Sequence, residues 1–108
     1  MTPTPERRLE PRRPTTGRGV VIAPGLELAC LIVDASASGL RIRLDRKLAL
    51  PSAVQLIDVA QGVAIEAEVA WSKGQEVGLR LRGQTSVRGL VPSRLAAARA
   101  AYLRAGGR

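Results

Sequence analysis

Apolar and polar residues alternate through most of the chain between residues 19 and 87, with the two-residue period of a half-buried β-strand. Leu40, Ile42 and Leu44 alternate with charged residues, and the clearest long stretch of this kind covers residues 63–72. Turn signals such as Pro24-Gly25 recur every ~8–12 residues, the spacing of a sandwich or barrel. We therefore predict six strands, at residues 20–22, 26–33, 40–45, 54–59, 63–72 and 77–81.

Six short strands in so small a chain close best as a barrel, because closure removes unpaired strand edges. Pro92-Ser93 then predicts the start of a helix, with Ser93 as its N-cap, and Gly106-Gly107 ends it. The helix plugs one barrel end or packs on the barrel wall. Its predicted apolar side holds Leu95, Ala98, Tyr102 and Leu103. The predicted fold class is mostly β, a six-stranded antiparallel β-barrel with a C-terminal α-helix.

The first eighteen residues have a different character. They contain four prolines, which exclude a helix and favour an extended, mobile chain. With few apolar side chains, this segment cannot order itself alone. We therefore expect a flexible, arginine-rich N-terminal arm at residues 1–18, a barrel at 19–90, and a helix with a short tail at 91–108.

The charge is uneven along the chain. Seventeen Lys and Arg against nine Asp and Glu give a net charge of +8. Residues 19–87 are balanced, whereas residues 1–18 hold five Arg and two Glu, and residues 88–108 hold five Arg and no acid. A nucleic-acid-binding barrel usually carries a basic stripe and stacking aromatics on its folded body. The neutral body argues against that class and favours a compact anionic partner.

The missing residue types exclude several functions. A single Cys and no His exclude an internal disulfide, the usual transition-metal sites, and catalysis by a Ser-His-Asp or Cys-His constellation. We predict a module that is not an enzyme, with no metal and no cofactor. No apolar run approaches the ~20 residues of a membrane span, and no secretory signal is visible. A lone Cys suits a reducing compartment, so we expect a cytoplasmic protein.

Two short motifs carry candidate chemistry. The first is Arg7-Arg8-Leu9-Glu10-Pro11-Arg12-Arg13. In an extended chain Arg8 and Arg12 lie at most ~13–14 Å apart, so their guanidinium groups can grip opposite sides of a compact ligand. Arginine binds phosphate bidentately and pairs with the O6/N7 edge of guanine. The alternative interpretation is a solvated basic tail.

The second motif is the polar turn that follows the second predicted strand. Asp34 can accept N–H donors from a purine edge, Ser36 can donate to an oxygen, and Gly39 permits a positive φ or a close backbone approach. The alternative interpretation is an ordinary Asx or Ser turn that closes a hairpin.

Taken together, the two motifs resemble the PilZ domain, the bacterial receptor module for cyclic di-GMP. The matching pattern is Arg-x-x-x-Arg at Arg8 and Arg12, followed by Asp-x-Ser-x-x-Gly from Asp34. Residues 67–71 and 76–81 also look like the last two strands of that family. The resemblance implies a six-stranded barrel with a flanking helix, over whose surface the arginine arm wraps the bound nucleotide.

The resemblance also implies residue roles. Arg8 and Arg12 would contact phosphates and guanines, while Asp34 and Ser36 would hold a guanine and Gly39 would shape the turn. An arginine at the position of Arg7 is associated with an intercalated cyclic di-GMP dimer, and Arg13 joins the site by adjacency. The predicted ligand-binding residues are Arg7, Arg8, Arg12, Arg13, Asp34, Ser36 and Gly39.

The function implied is a second-messenger receptor in signal transduction, which orders its arm over the ligand and presents a new surface to a downstream protein. The alternative is a PilZ-like adaptor in pilus or flagellar control that binds only protein. Trp71 could offer a stacking face, but its place on an alternating strand favours a core position.

Overall fold

The computed structural model describes residues 13–107, with side chains from residue 17 onward. Among these residues, six antiparallel strands form a closed barrel in the order β1-β2-β3-β6-β5-β4. One helix, α1, follows a short 3₁₀ turn at Ser93–Leu95. The predicted fold class is confirmed. The elements are β1 Arg13–Ala23, β2 Leu26–Ala35, β3 Gly39–Leu44, β4 Ala53–Asp58, β5 Val63–Lys73, β6 Glu76–Ser86 and α1 Ala96–Arg104.

The barrel interior is filled by the apolar residues that alternate along each strand. Val21, Ile42 and Leu56 have no exposed surface at all. Cys30 belongs to the same cluster, and burial raises the pKa of its thiol to about 12. The thiol therefore stays protonated and unreactive near neutral pH.

A second apolar cluster lies outside the barrel, between the β1–β4 wall and α1. Val20, Ile22 and Ile57 cover this wall, and the helix packs Ala98 and Tyr102 against them. The helix thus packs on the wall rather than plugging an end. Leu103, predicted on the apolar side, is 45% exposed, and Ala101 is buried instead. Ala98, Ala101 and Tyr102 are spaced i, i+3 and i+4 and share the face that packs on the sheet, whereas Leu103 lies about 100° round the helix from Tyr102 and points away from it.

The N-terminus of α1 differs from the prediction, whereas its C-terminus agrees with it. Ser93 lies in the 3₁₀ turn and caps no helix, because the α-helix begins after Leu95 and neither cap position makes a side-chain hydrogen bond. At the C-terminus, Gly106 takes a φ of 99°. Its N–H donates to the Leu103 carbonyl, and the Gly107 N–H donates to that of Tyr102. This double closure is a Schellman motif.

The helix has nine residues. Within the described part of the chain, no helix is long and apolar enough to cross a membrane.

Strand β1 starts earlier than predicted. Residues 13–18, predicted to belong to the arm, are part of β1, whose pairing with β2 reaches Arg13↔Ala35 and is irregular between Pro14 and Gly17. Only the later part of β1, residues 19–22, also pairs with β4. Pro14 is therefore tolerated, because this part of the strand has a neighbour on one side only and its missing N–H leaves no gap between two strands.

Two polar contacts fasten α1 to the barrel. The Arg104 Nε donates to Glu27 Oε2 at 3.0 Å, and its Nη2 donates to Oε1 of the same carboxylate. Near the same end of the helix, the Arg88 Nε donates to the Tyr102 hydroxyl at 3.4 Å, and the Arg88 Nη2 donates to the Ala60 carbonyl at 3.0 Å. The helix is therefore held on the barrel by its buried apolar face and by the hydrogen bonds of Arg88 and Arg104.

Replacing Tyr102 with Ala removes the largest buried side chain of the helix, which is 2% exposed. We expect the free energy of unfolding, measured by urea denaturation, to fall by about 3–5 kcal/mol, as for other buried aromatics. The neighbouring Leu103→Ala is the matched control and should cost about 0.5 kcal/mol or less. Equal losses in the two variants would contradict the packing of α1 described above.

The hydrogen bonds from Arg104 hold the pKa of Glu27 below its ordinary value and raise the pKa of Arg104. Because the unfolded chain then binds the proton more tightly, the pair stabilises the fold at higher pH. That contribution is lost as pH falls through the folded pKa of Glu27. A carbon-13 NMR titration should give Glu27 a lower pKa in the wild type than in Arg104→Ala. Identical values in the two proteins would show that the ion pair does not persist in solution.

Candidate functional site

The hairpin between β2 and β3 carries the second motif. A two-residue turn separates Ser36 from Gly39, and the Ser36 N–H donates to the Gly39 carbonyl at 2.8 Å. The Ser36 hydroxyl donates to the same carbonyl at 3.4 Å. Gly39 is buried at the start of β3 and is not among the glycines with positive φ in the described chain. The turn therefore does not use the left-handed conformation that glycine allows.

Asp34 lies in the last part of β2 rather than in the turn, so the prediction of a polar turn from residue 34 was wrong by two residues. Ile32 pairs with Ile42, yet Asp34 pairs with Arg41, so Val33 is an extra residue in β2. Such a β-bulge reverses the faces of the residues that follow. Without it, Asp34 would continue the inward series of Ile32. With it, Asp34 stands opposite Arg41, which occupies the outer face.

Arg41 binds the carboxylate of Asp34. Its Nε donates to Asp34 Oδ2 at 2.9 Å, and its Nη2 forms an ion pair with the same oxygen at 2.8 Å. Its Nη1 donates to Glu76 Oε1 at 3.1 Å. The Asp34 side chain is 13% exposed and that of Arg41 is 39% exposed. Arg41 thus fixes the orientation of an acidic group at the surface of the barrel, through charge-assisted hydrogen bonds.

Sequence reasoning missed Arg41, although the signal was present. Once Ala37 and Ser38 are taken as a two-residue turn, counting back along both strands puts Asp34 opposite Arg41. Strict alternation in β3 also places Arg41 on the outer face. The combination predicts the ion pair without any knowledge of the bulge.

Trp71 extends the same outer face. We predicted a core position for it, and that prediction was wrong, because Trp71 is 43% exposed. Val69 pairs with Leu79 and Trp71 with Gly78, so Ala70 is an extra residue in β5 that turns Trp71 outward. The indole lies over Gly78, where a Cβ atom would come within 2.1 Å of its Nε1.

The outer face therefore carries a row of residues across four adjacent strands. Asp34 on β2 pairs with Arg41 on β3, Arg41 pairs with Gly78 on β6, and Gly78 pairs with Trp71 on β5. We call this set the Asp34–Trp71 row. It offers an acceptor, a cation and an aromatic face on one side of the barrel.

The start of β1 borders this row. Arg13 pairs with Ala35 and Pro14 with Asp34. Only the backbone of Arg13 is described, and Arg7, Arg8 and Arg12 lie outside the described residues. The structure thus brings Asp34, Ser36 and Gly39 together in one hairpin and places the backbone of Arg13 beside it. The described residues contain no group of three His, Cys, Asp or Glu side chains that could hold a metal ion.

Comparison with known proteins identifies the family. The model of the PilZ domain matches residues 6–90, which include the arginine motif, the hairpin of Asp34 and all six strands. No curated protein matches the chain closely enough to serve as a named relative. PilZ domains are binding and adaptor modules rather than enzymes. The chain belongs to the PilZ family.

Proposed function

We propose that this protein is a cyclic di-GMP receptor that binds the nucleotide between its N-terminal arginines and the Asp34–Trp71 row. Membership of the PilZ family supports a receptor for this ligand. Both motifs of the nucleotide-binding members are intact in the sequence, at Arg8 and Arg12 and at Asp34, Ser36 and Gly39. An adaptor that binds only protein would not need both.

The observation that carries the proposal is the pairing of β1 with the end of β2. Because Arg13 pairs with Ala35 and Pro14 with Asp34, β1 begins beside Asp34. Arg12 is one residue away, about 3.8 Å between Cα atoms, and Arg8 can lie at most about 18 Å from Arg13. Covalent geometry therefore keeps both arginines of the motif within reach of a nucleotide held at the row.

The chemistry of the row suits guanine. A carboxylate accepts hydrogen bonds from the N–H groups along the edge of a purine, and Arg41 holds the carboxylate of Asp34 in a fixed orientation. Trp71 presents a half-exposed aromatic face on which a base can stack. The two phosphates are left to the arginines of the arm, whose guanidinium forks match phosphate oxygens. By family resemblance, Arg7 favours two stacked nucleotides per chain.

Signalling in this proposal comes from ordering the arm. Fixing a residue costs of order 1–2 kcal/mol, and a hydrogen bond to a charged group returns about 1.5–3 kcal/mol. Several arginine contacts are therefore needed before the ordered state predominates. Once ordered, the arm and the nucleotide form a new surface that a downstream protein can recognise, without any catalytic step.

Arg8→Ala or Arg12→Ala should weaken cyclic di-GMP binding at least tenfold, about 1.4 kcal/mol, because each removes a charge-assisted contact to the nucleotide. Calorimetric titration measures the affinity, and circular dichroism checks that the fold is unchanged. Arg94→Ala is the matched control, since this exposed arginine lies in the 3₁₀ turn before α1. Wild-type affinity in both arm variants would overturn the proposal, and no binding by the wild type would favour the protein-binding adaptor.

Trp71 is the only tryptophan, so its fluorescence reports on the row directly. We expect saturating cyclic di-GMP to quench the emission, with the same midpoint as the calorimetric titration, because a base stacks on the indole. Trp71→Ala should lower affinity by about fivefold or more, given ~1–3 kcal/mol per stacked base. Unchanged emission at calorimetric saturation would remove Trp71 from the site while leaving the arginine contacts in place.

A further inference from the structure

A second row of outward-facing residues lies next to the Asp34–Trp71 row on β1, β2 and β3. Leu31 is flanked by two arginines, since it pairs with Arg18 on one side and with Arg43 on the other. We call these three residues the Arg18–Arg43 stripe. Neighbouring strands lie about 4.8 Å apart, so the backbone positions of the two arginines are about 10 Å apart.

The stripe is unusual in its exposure. Leu31 is 46% exposed, one of only four large apolar side chains to be so among the described residues. Arg18 and Arg43 are exposed as well. An isolated exposed leucine needs no explanation. Here the methylene groups of the two flanking arginines extend the apolar surface of Leu31 into a strip with a guanidinium group at each end.

The arginines of the stripe also lack the ion pairs that others on this barrel have. Arg41, Arg80 and Arg82 each form an ion pair, whereas Arg18 and Arg43 form none with the described residues. Their surroundings explain why. Glu76 pairs in register with Arg43, but its carboxylate is bonded to Arg41 at 3.1 Å.

The side chain of Arg18 lies beside the end of α1. A Cβ atom on Gly106 would lie 3.5 Å from its Nη2, so the guanidinium sits beside the last helical turn. It makes no hydrogen bond to that turn within the described chain. Ala105 of this turn and Leu31 line a groove of about 560 Å³ that also includes both arginines. The groove thus has an apolar floor and a helical wall, and its charged lining consists of two arginines and one acid, Asp45.

We propose that the Arg18–Arg43 stripe docks an acidic segment of a partner protein, with an apolar side chain of that segment seated on Leu31 and carboxylates meeting the two arginines. Charge complementarity selects this occupant, because Arg18 and Arg43 form no ion pair with the described residues, and the nearby Asp45 carboxylate lies 3.8 Å from Arg46 instead. Arginine is also enriched among the residues that dominate binding energy at protein interfaces. The docking site is separate from the proposed nucleotide site and does not depend on it.

The probe for this proposal is a fluorescein-labelled peptide of sequence Gly-Glu-Glu-Leu-Glu-Glu-Gly, titrated with the full chain in the absence of nucleotide and followed by fluorescence polarisation. We expect Arg18→Glu combined with Arg43→Glu to weaken binding at least tenfold, and Leu31→Ser to weaken it about threefold or more. The doubly reversed protein should instead bind the peptide in which Lys replaces Glu. Raising the salt concentration should weaken the wild-type complex.

A matched control carries the same change of net charge elsewhere, Lys73→Glu with Arg94→Glu, both exposed. It should retain wild-type affinity for the acidic peptide. An equal loss in this control would overturn the proposal in favour of unspecific charge attraction, and so would the absence of peptide binding by the wild type. Loss of cyclic di-GMP binding in the stripe variants would assign the stripe to the nucleotide site. Peptide binding without nucleotide binding would reject the proposed function and leave the docking site standing.

Discussion

The side-chain period of a β-strand is two residues, so one inserted residue exchanges the inner and outer faces of everything beyond it. Two such insertions, at Val33 in β2 and at Ala70 in β5, bring Asp34 and Trp71 to the outside of the barrel. Without them, a carboxylate would enter an apolar interior at a cost of several kcal/mol. The site therefore depends on two local interruptions of a regular sheet, which are common near functional sites.

The periodic part of the fold could be predicted from the sequence. Val20-Val21-Ile22 is continuously apolar because Val21 faces the barrel interior while its two neighbours face α1. Leu56 and Ile57 repeat this arrangement on β4. Such stretches, apolar on both faces, indicate that another element covers the outer side of β1 and β4, and they therefore favour a helix on the barrel wall over one at the barrel end.

The aperiodic part could not be predicted in the same way. A bulge has no residue signature of its own, and Val33 and Ala70 are ordinary strand residues. Alternation alone therefore placed Trp71 in the core. The extent of β1 was missed for a related reason, because Pro14 argues against a strand unless it is known that β4 pairs only with the later part of β1. Both errors concern pairing between strands, which a single strand's pattern does not contain.

The charged residues of the barrel divide into those that form ion pairs and those that do not. Arginines on the barrel are matched to acids in neighbouring strands, as with Arg41 and Glu76 or Arg82 and Glu68. This local matching explains how a chain of net charge +8 can have a neutral body. Among the described residues, Arg18 and Arg43 beside Leu31 form no ion pair, and this stripe suits an acidic protein segment.

The proposed function depends on cyclic di-GMP binding to the outer face, where β1 begins beside Asp34. A nitrogen-15 NMR titration with this nucleotide tests it most directly, because every backbone amide and the Trp71 indole N–H report at once. We expect shifts confined to the arm, residues 34–41 and Trp71, with the amides of α1 nearly unmoved. Shifts centred on α1 and the β1–β4 wall, or none at saturating nucleotide, would contradict it.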